Sequence, residues 1–385
     1  ISAMLGARAE GKSIDEMDGG VSIADVIYRY ADKELATDRL TVELSGGDSS
    51  RSVVLGSEFV DLQFQSRLGY RDIFKYIYNS LKTYVPLLYD DSERHQVIGG
   101  ASAGDYSMLK VRAGESINDL LDAISGGFMV APETELSLMF SPSSNLISIQ
   151  AESEVLEYGG VMMANAEIDI NNRSDSLSMW INSSGIYMGS RLIMPNFSAT
   201  GGARENRISL TAGFRDDRDK QSGMLGLSAK FSRNARTNRR SIHIDITPSH
   251  FTSDTQQWKL SAKGIDIDSS RIQINSFQIA RPEQQLIVDG VASRSRSDSI
   301  RLTLKNFDLA PLSAFTERVG YNFSSRANGY ASMKSALKNP EIEANIDLDD
   351  IAVNNITAPP QRITSNWDFE ANHARVFIAD RTTAD

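Results

Sequence analysis

The stretch WKLSAKGIDIDSSRIQINSFQIARPEQQLIVDGVASRSRSDSIRLTLKNFDL, which runs from Trp258 to Leu309, decides the fold of this chain. It contains five short runs in which apolar and polar residues alternate. Because successive side chains of a strand point to opposite faces, each run predicts a strand with one apolar and one polar face. Short turns join the runs and no helical segment lies between them, so the stretch predicts an antiparallel meander.

The apolar face of this meander is the first candidate for a functional surface. Its predicted lining consists of nine aliphatic residues of one parity: Ile265, Ile267, Ile272, Ile274, Leu286, Val288, Ile300, Leu302 and Leu304. Phe277 and Phe307 break the parity that Ile274 and Leu304 set. We therefore expect a β-bulge or a strand end at each of these two positions.

Alternation of the same kind continues over most of the chain, from about residue 134 to its end, and predicts about twenty strands. Open twisted sheets rarely exceed about ten strands without curling or folding over. We therefore predict a mainly β fold, in which an elongated, curled antiparallel sheet forms a groove. A few short amphipathic helices are expected in the N-terminal third.

Three segments of that N-terminal third have apolar residues at helical spacing, namely 22–30, 70–85 and 115–125. A further short helix is predicted near Pro311–Glu317. The aromatic helix at 70–85 is expected to pack in the core, with a role as plug or lining of a groove as the alternative. The predicted organisation is a poorly ordered lead-in over 1–20, a mixed α/β segment over 21–133 and a continuous β-groove over 134–385.

Composition excludes several classes of site and partner. The 385 residues include no cysteine, so disulfides and thiolate metal sites are excluded. The net charge of −10 argues against a nucleic-acid partner, because binding a polyanion needs a basic surface. No apolar run reaches the length of about 18 residues that predicts a membrane-spanning helix. The chain begins at Ile1 and stops just after a strand-like run, so we expect a piece of a longer protein.

Two groups of titratable residues could in principle carry chemistry. His243 and Asp245 lie two residues apart on one strand face, a spacing that suits metal ligands or an acid–base pair. Because no third group is in sight, a solvated strand face is the favoured interpretation. Asp347, Asp349 and Asp350 resemble a calcium cluster, but the segment lacks the glycine and the bidentate glutamate of an EF-hand loop. A charged hairpin edge that opposes aggregation is favoured instead.

A basic run could contact lipid headgroups or an acidic partner, although a solvated hairpin is the favoured interpretation; it consists of Lys230, Arg233, Arg236, Arg239 and Arg240. The sequence shows no glycine-rich phosphate loop between a strand and a helix, and no nucleophile elbow. We therefore predict a protein without enzymatic activity, cofactor or metal.

Several stretches also follow a recognisable order. They are QW-x-L from Gln257, RIQINSFQIA, QQLIVDGVAS, SDSIRLTLKNFDLAPL, GYASMKSALKNPEIEANI and VNNITA, preceded by SVVLGSEFVDLQFQSRLGYRDIFKYIYNSLKTYVP from Ser52. Together they resemble the AsmA-like/TamB family of envelope proteins, in particular its Bacteroidetes forms, over about 250–385 and 40–90.

This resemblance implies an internal fragment of a long periplasmic protein. Such a protein is anchored in the inner membrane by an N-terminal segment absent from this sequence, and it reaches the outer membrane. The resemblance further implies a β-groove whose apolar interior holds phospholipid acyl chains and conducts them between the membranes. It also implies a part in outer-membrane protein assembly with a barrel partner of the TamA/BamA type. It supplies no catalytic residue.

Two functions from different classes remain open. One is a hydrophobic conduit; the other is a structural or adhesive β-scaffold, or an assembly module, with a closed apolar core. A scaffold fills its centre at the packing density of organic crystals, whereas a conduit leaves a continuous slot. The small and medium aliphatic residues of the meander favour a slot. Because this stripe contains no charge, we expect lipid binding with little headgroup selectivity.

Overall fold

The computed structural model describes residues 2–30, 33–47, 50–88, 104–124, 126–172, 176–216, 221–233, 238–253, 256–310, 322–354, 356–368 and 373–381. The chain divides into two compact units, Ile1–Ser222 and Gly223–Asp385, so the predicted boundary at residue 134 falls inside the first unit. The described residues form a mainly β structure with antiparallel pairing and two α-helices, which confirms the predicted fold class. No helix in this part of the chain is long and apolar enough to span a membrane.

The described part of the first unit contains two helices, α1 (Tyr70–Tyr84) and α2 (Ile117–Ile124), close to the predicted 70–85 and 115–125. Its strands are β1 (Ser2–Glu10), β2 (Asp18–Tyr30), β3 (Lys33–Ser45), β4 (Arg51–Ser57), β5 (Val60–Ser66), β6 (Ser107–Ala113), β7 (Phe128–Val130), β8 (Glu135–Ser141), β9 (Leu146–Tyr158), β10 (Val161–Asn171), β11 (Leu177–Met188), β12 (Arg191–Arg204) and β13 (Arg207–Arg215). Neighbours in the chain pair with each other, except that β7 and β8 both pair with β9 and β6 pairs with β8.

The strands that follow are β14 (Ser222–Arg233), β15 (Arg240–Ser253), β16 (Gln256–Ser261), β17 (Ile265–Asp268), β18 (Arg271–Arg281), β19 (Gln284–Ser293), β20 (Ser299–Asp308), β21 (Phe323–Lys334), β22 (Glu341–Val353), β23 (Ile356–Ala358), β24 (Gln361–Asp368) and β25 (His373–Asp380). The five strands predicted between Trp258 and Leu309 are β16 to β20. However, β16 and β17 each pair with both β15 and β18, so they lie end to end in one position of the sheet. The predicted helix near Pro311–Glu317 lies outside the described residues.

The helix predicted over 22–30 is wrong, because these residues belong to β2, which pairs with β1 and β3. Asp25 has a φ of +49°, a left-handed conformation that interrupts the alternation in the middle of the strand. The interruption separates Ile23 from Val26 and Ile27 by three and four residues, which in the sequence resembles helical spacing. Residues 2–10 form β1, where the sequence predicts a poorly ordered lead-in.

The sequence predicts a bulge or a strand end at Phe277 and at Phe307, and both positions follow a bulge within a strand. The register shifts between Ile274 and Phe277 in β18, and between Leu304 and Phe307 in β20. Ser276 and Asn306 have φ values of +50° and +51°, so each bulge contains one left-handed residue. As a result both phenylalanines return to the apolar face, Phe277 opposite Val288 and Phe307 opposite Ala327.

Helix α1 packs across the apolar face of the first unit and is held at both ends. At its start, the Tyr70 amide donates a hydrogen bond to Asp15 Oδ1 at 2.8 Å, which places a carboxylate at the positive end of the helix dipole. At its end, the Tyr84 carbonyl accepts a hydrogen bond from the Asn206 amide at 3.0 Å, and the Tyr84 hydroxyl contacts the Asn172 side chain. Ile73 is buried, and Ile77 and Leu81 pack against the cluster around Phe140, so the prediction of core packing for this helix is confirmed at its inner face.

Candidate functional site

The apolar face of the first unit is organised in rows that run across the strands. Residues directly opposite each other in antiparallel strands share a face, so the pairing defines each row. One row crosses twelve strands with no polar member: Ala7, Val21, Val42, Leu55, Leu62, Val111, Leu136, Ala151, Ile168, Ile181, Ala199 and Ala212. Its eleven strand-to-strand steps of about 4.8 Å correspond to a path of about 53 Å along the sheet.

Most members of this central row of the first unit keep part of their surface exposed. From Val21 to Ala212 each member is half-buried, except for the buried Ala199. Helix α1 packs beside the row, in a cluster around Phe140 and Ile147. Helix α2 packs near the opposite ends of the strands, in a cluster with Ala113 and Val130. The two helices therefore cover the margins of the apolar face and leave its centre half-exposed.

The second unit contains shorter rows of the same kind, and these include the nine residues predicted to line the groove. One row consists of Ile244, Ile265, Ile274, Gly290, Ile300, Met333 and Ile342. A second consists of Phe277, Val288, Leu302, Ala331 and Ala344, and a third of Leu260, Ile279, Leu286, Leu304, Gly329, Ile346, Ile363 and Ile378. Ile267 and Ile272 pair with each other at the margin, and Ile272 also pairs with Ala292. The nine residues thus share one face, while their contact with lipid stays a prediction.

One end of this face is closed by an aromatic cluster. The Trp258 ring stacks on Phe251 at a centroid distance of 5.9 Å and meets the Phe307 ring edge-on at 5.5 Å. Trp258 and Phe307 lie on strands separated by three steps, about 14 Å in a flat sheet, so their contact indicates that the sheet curves toward this face. Of the nine predicted residues only Leu304 is buried, in this same cluster; the other eight are half-buried.

Arg281 lies beside this cluster, and sequence parity alone would place it on the polar face. It shares the odd parity of Gln273, which points away from Ile272 and Ile274. The bulge at Ser276 reverses the parity, so Arg281 follows Phe277 and Ile279 on the apolar face. The signal was present in the sequence, because Phe277 and Ile279 are themselves apolar residues of odd number.

His243 lies on the polar face of β15 between two carboxylates. Its Nδ1 is 2.7 Å from Asp266 Oδ1 of β17, and its Nε2 is 3.1 Å from Asp245 Oδ1. The hydrogen bond to Asp266, followed by the weaker influence of Asp245, raises the pKa of His243 above its ordinary value of 6.5. Gly264 leaves room for the ring, because a Cβ there would lie 2.7 Å from an imidazole carbon. The arrangement links β15 to β17 and agrees with the favoured solvated strand face.

This linkage predicts a pH-dependent contribution to stability. Because the pKa of His243 is higher in the folded than in the unfolded chain, the contribution is complete below about pH 6.5 and is lost as the pH rises through the folded pKa. We expect His243→Gln to lower the urea midpoint of unfolding at pH 6 and to leave it nearly unchanged at pH 9. The effect should be small, since the side chain is 41% exposed.

The control for this prediction is Asp266→Asn, which removes the principal partner. In that background the effect of His243→Gln on the urea midpoint at pH 6 should shrink, as expected for a coupled pair. An equal loss at both pH values in the otherwise unchanged protein would show that His243 acts through packing rather than charge.

The three aspartates of β22 do not form a charged hairpin edge, and that prediction is wrong. They lie inside the sheet and are paired with arginines: Arg362 Nε is 2.7 Å from Asp347 Oδ1, and Arg381 Nη1 is 2.7 Å from Asp349 Oδ1. Asp350 pairs with Arg326 of β21 at 3.1 Å. The hydrogen bond from Arg362 holds the pKa of Asp347 below its usual value. Within the described ranges, no group of three or more histidine, cysteine, aspartate or glutamate residues could hold a metal ion.

The basic run lies around the connection between β14 and β15. Lys230 and Arg233 belong to β14 and Arg240 begins β15, whereas Arg236 lies outside the described residues. Arg233 donates a hydrogen bond to Asn238 Oδ1 at 3.1 Å. The described part of the run is consistent with the favoured hairpin.

Comparisons of this chain with protein families, with curated proteins and with solved structures found no match.

Proposed function

We propose that this chain is a segment of a periplasmic β-groove that conducts phospholipids between the inner and outer membranes. The observation that carries the proposal is the row of twelve aliphatic residues across the first unit, ten of which are partly exposed. Its path of about 53 Å exceeds the roughly 15 Å of hydrocarbon in one bilayer leaflet. Each methylene removed from water contributes about 0.8 kcal/mol, so acyl chains can bind such a row without any polar contact.

The resemblance to the AsmA-like/TamB family supports the wider context of this proposal. In that context the chain belongs to a protein anchored in the inner membrane, and a barrel protein of the TamA/BamA type is its partner at the outer membrane. The described structure contains the type of surface that such transport needs, namely aliphatic side chains aligned from strand to strand. No chemical step is needed, because transport requires only that tails slide along equivalent sites.

The alternative, a closed β-scaffold, is favoured by the two packed clusters. In these clusters Phe140 is 1% exposed and Trp258 is 4% exposed, as expected for a core that excludes water. Between the clusters and the polar margins, however, the central rows keep part of their surface exposed. A scaffold gives no physical reason for a long aliphatic row to remain half-exposed, since closing it would add stability.

A photo-crosslinking experiment tests the proposal with matched pairs of neighbouring positions. A photoreactive amino acid is placed at 274, 288 or 302 on the apolar face, and at 273, 287 or 303 on the polar face. After delipidation and incubation with a radiolabelled diacyl phospholipid, we expect adducts at the first three positions and background at the other three. Equal labelling on both faces, or none on either, would reject the conduit in favour of the scaffold.

A further inference from the structure

Arg281 is a cation on a mainly apolar face. It is the last residue of β18 and follows Ile279, which pairs with Leu260 on one side and Leu286 on the other. Its guanidinium carbon lies 4.5 Å from the centroid of the Trp258 ring. The aromatic ring therefore holds the cation at the end of the apolar rows, an arrangement that favours a fixed orientation of the guanidinium.

Within the described residues no ion pair balances the charge of Arg281, whose guanidinium contacts the Trp258 ring. Arg301 likewise has an aromatic contact, with Tyr330, and no ion pair among the described residues, whereas two other arginines of this unit are paired with carboxylates. Arg271, at the other end of the same strand, is 3.6 Å from Asp268, and Arg362 forms two hydrogen bonds with Asp347. Arg281 is nevertheless half-buried, so part of its hydration is already lost. A half-buried guanidinium without a carboxylate is suited to an anionic ligand.

Gln284 supplies a second donor at the same place. It faces Arg281 across the tight turn between β18 and β19. Its Oε1 accepts a hydrogen bond from the Asp308 amide at 3.2 Å, which orients the side chain. Among the described residues no acceptor takes the Nε2 hydrogens, so they are available to a ligand. Guanidinium and amide donors together match the oxygens of a phosphate, which arginine binds with two parallel hydrogen bonds.

We propose that Arg281, with Gln284 beside it and Trp258 beneath it, binds the phosphate of a diacyl phospholipid whose tails lie on the row containing Ile279 and Leu286. This inference rests on the proposed function and identifies the headgroup chemistry of the same site. Trp258 occupies the boundary at which an amphipathic ring separates tails from headgroup. The expectation of little headgroup selectivity, which considered only the uncharged stripe, is replaced by selectivity for a phosphate monoester or diester.

The test compares two short-chain lipids that have identical tails, dihexanoyl phosphatidic acid and dihexanoylglycerol. Binding to the whole 385-residue chain is followed by calorimetry at fixed ionic strength. The unsubstituted protein should bind the phosphatidic acid about tenfold more tightly, the effect of one or two charge-assisted hydrogen bonds. Arg281→Gln should abolish this preference and leave the affinity for dihexanoylglycerol unchanged. Lys259→Gln is the matched control, because it removes an exposed cation from the polar face next to Trp258 and should preserve the preference.

The outcomes separate this inference from the proposed function. Equal binding of the two lipids by the unsubstituted protein overturns the phosphate site and leaves the conduit intact. Binding of neither lipid overturns both. Competition by inorganic phosphate that depends on Arg281 but is not strengthened by acyl chains would assign the site to free phosphate and overturn the inference. If Arg281→Gln does not fold, the preference of the unsubstituted protein, together with Arg281→Lys, decides the question.

Discussion

Leu302→Arg is expected to leave the second unit folded and to abolish lipid crosslinking along its apolar face. Leu302 packs against the margin of the cluster around Trp258 and Phe307, but it is only partly buried, in the row that contains Val288 and Ala331, so a long arginine side chain can keep its charge in water. The same charge would lie across the path of the acyl chains, where an unpaired ion is very unfavourable in an apolar medium. The measurement is photo-crosslinking from position 288, combined with circular dichroism.

Leu304→Arg provides the contrast within the same strand and on the same face. Leu304 is 8% exposed and packs in the cluster with Phe307 and Leu348, so the introduced charge cannot reach water. We expect a loss of more than about 3 kcal/mol in the free energy of unfolding, enough to unfold a marginally stable unit. If both substitutions unfold the protein, the rows form a closed core and the scaffold is the better description. If Leu302→Arg folds and transports lipid normally, tails do not pass this position.

The strands and their faces follow from local pattern, since alternation with a period of two needs no knowledge of the rest of the chain. The positions of the bulges could also be predicted from the sequence, because Phe277 and Phe307 are one residue out of the alternation that Ile274 and Leu304 set. The strand at 18–30 could not be predicted from its local pattern. The left-handed Asp25 shifts its pattern toward helical spacing, and the pairing with β1 and β3 overrides that local signal.

The contacts between distant segments could not be derived from the sequence. His243 and Asp266 are 23 residues apart, and they meet only because β15 pairs with β17 in one particular register. Asp349 meets Arg381 from a segment beyond β25. A shift of one residue in any register would place such pairs on opposite faces. For the same reason the sequence predicts an apolar face for each strand but does not predict the unbroken row across twelve of them.

Phe140→Ala is expected to have the largest effect on the stability of the first unit. Phe140 is 1% exposed in β8 and lies under α1, with its ring centroid 6.5 Å from that of Tyr76. Removing the ring leaves a cavity between helix and sheet, and such substitutions cost about 3–5 kcal/mol. Hydrogen exchange should therefore accelerate over Tyr70–Tyr84 and β8 by several orders of magnitude, while exchange in the second unit serves as the internal reference.

Leu136→Ala is the matched substitution that connects this measurement to function. Leu136 lies on the same strand and the same face as Phe140, but it belongs to the half-exposed central row. Leu136 lies outside the cluster that α1 covers, and part of its surface already contacts water. The substitution should therefore lower the free energy of unfolding by about 1 kcal/mol or less. It should instead weaken lipid crosslinking from the neighbouring row members. A cost equal to that of Phe140→Ala would mean that the row is packed shut along its length. In that case β8 would belong to a scaffold, and the half-exposed row could not conduct lipid.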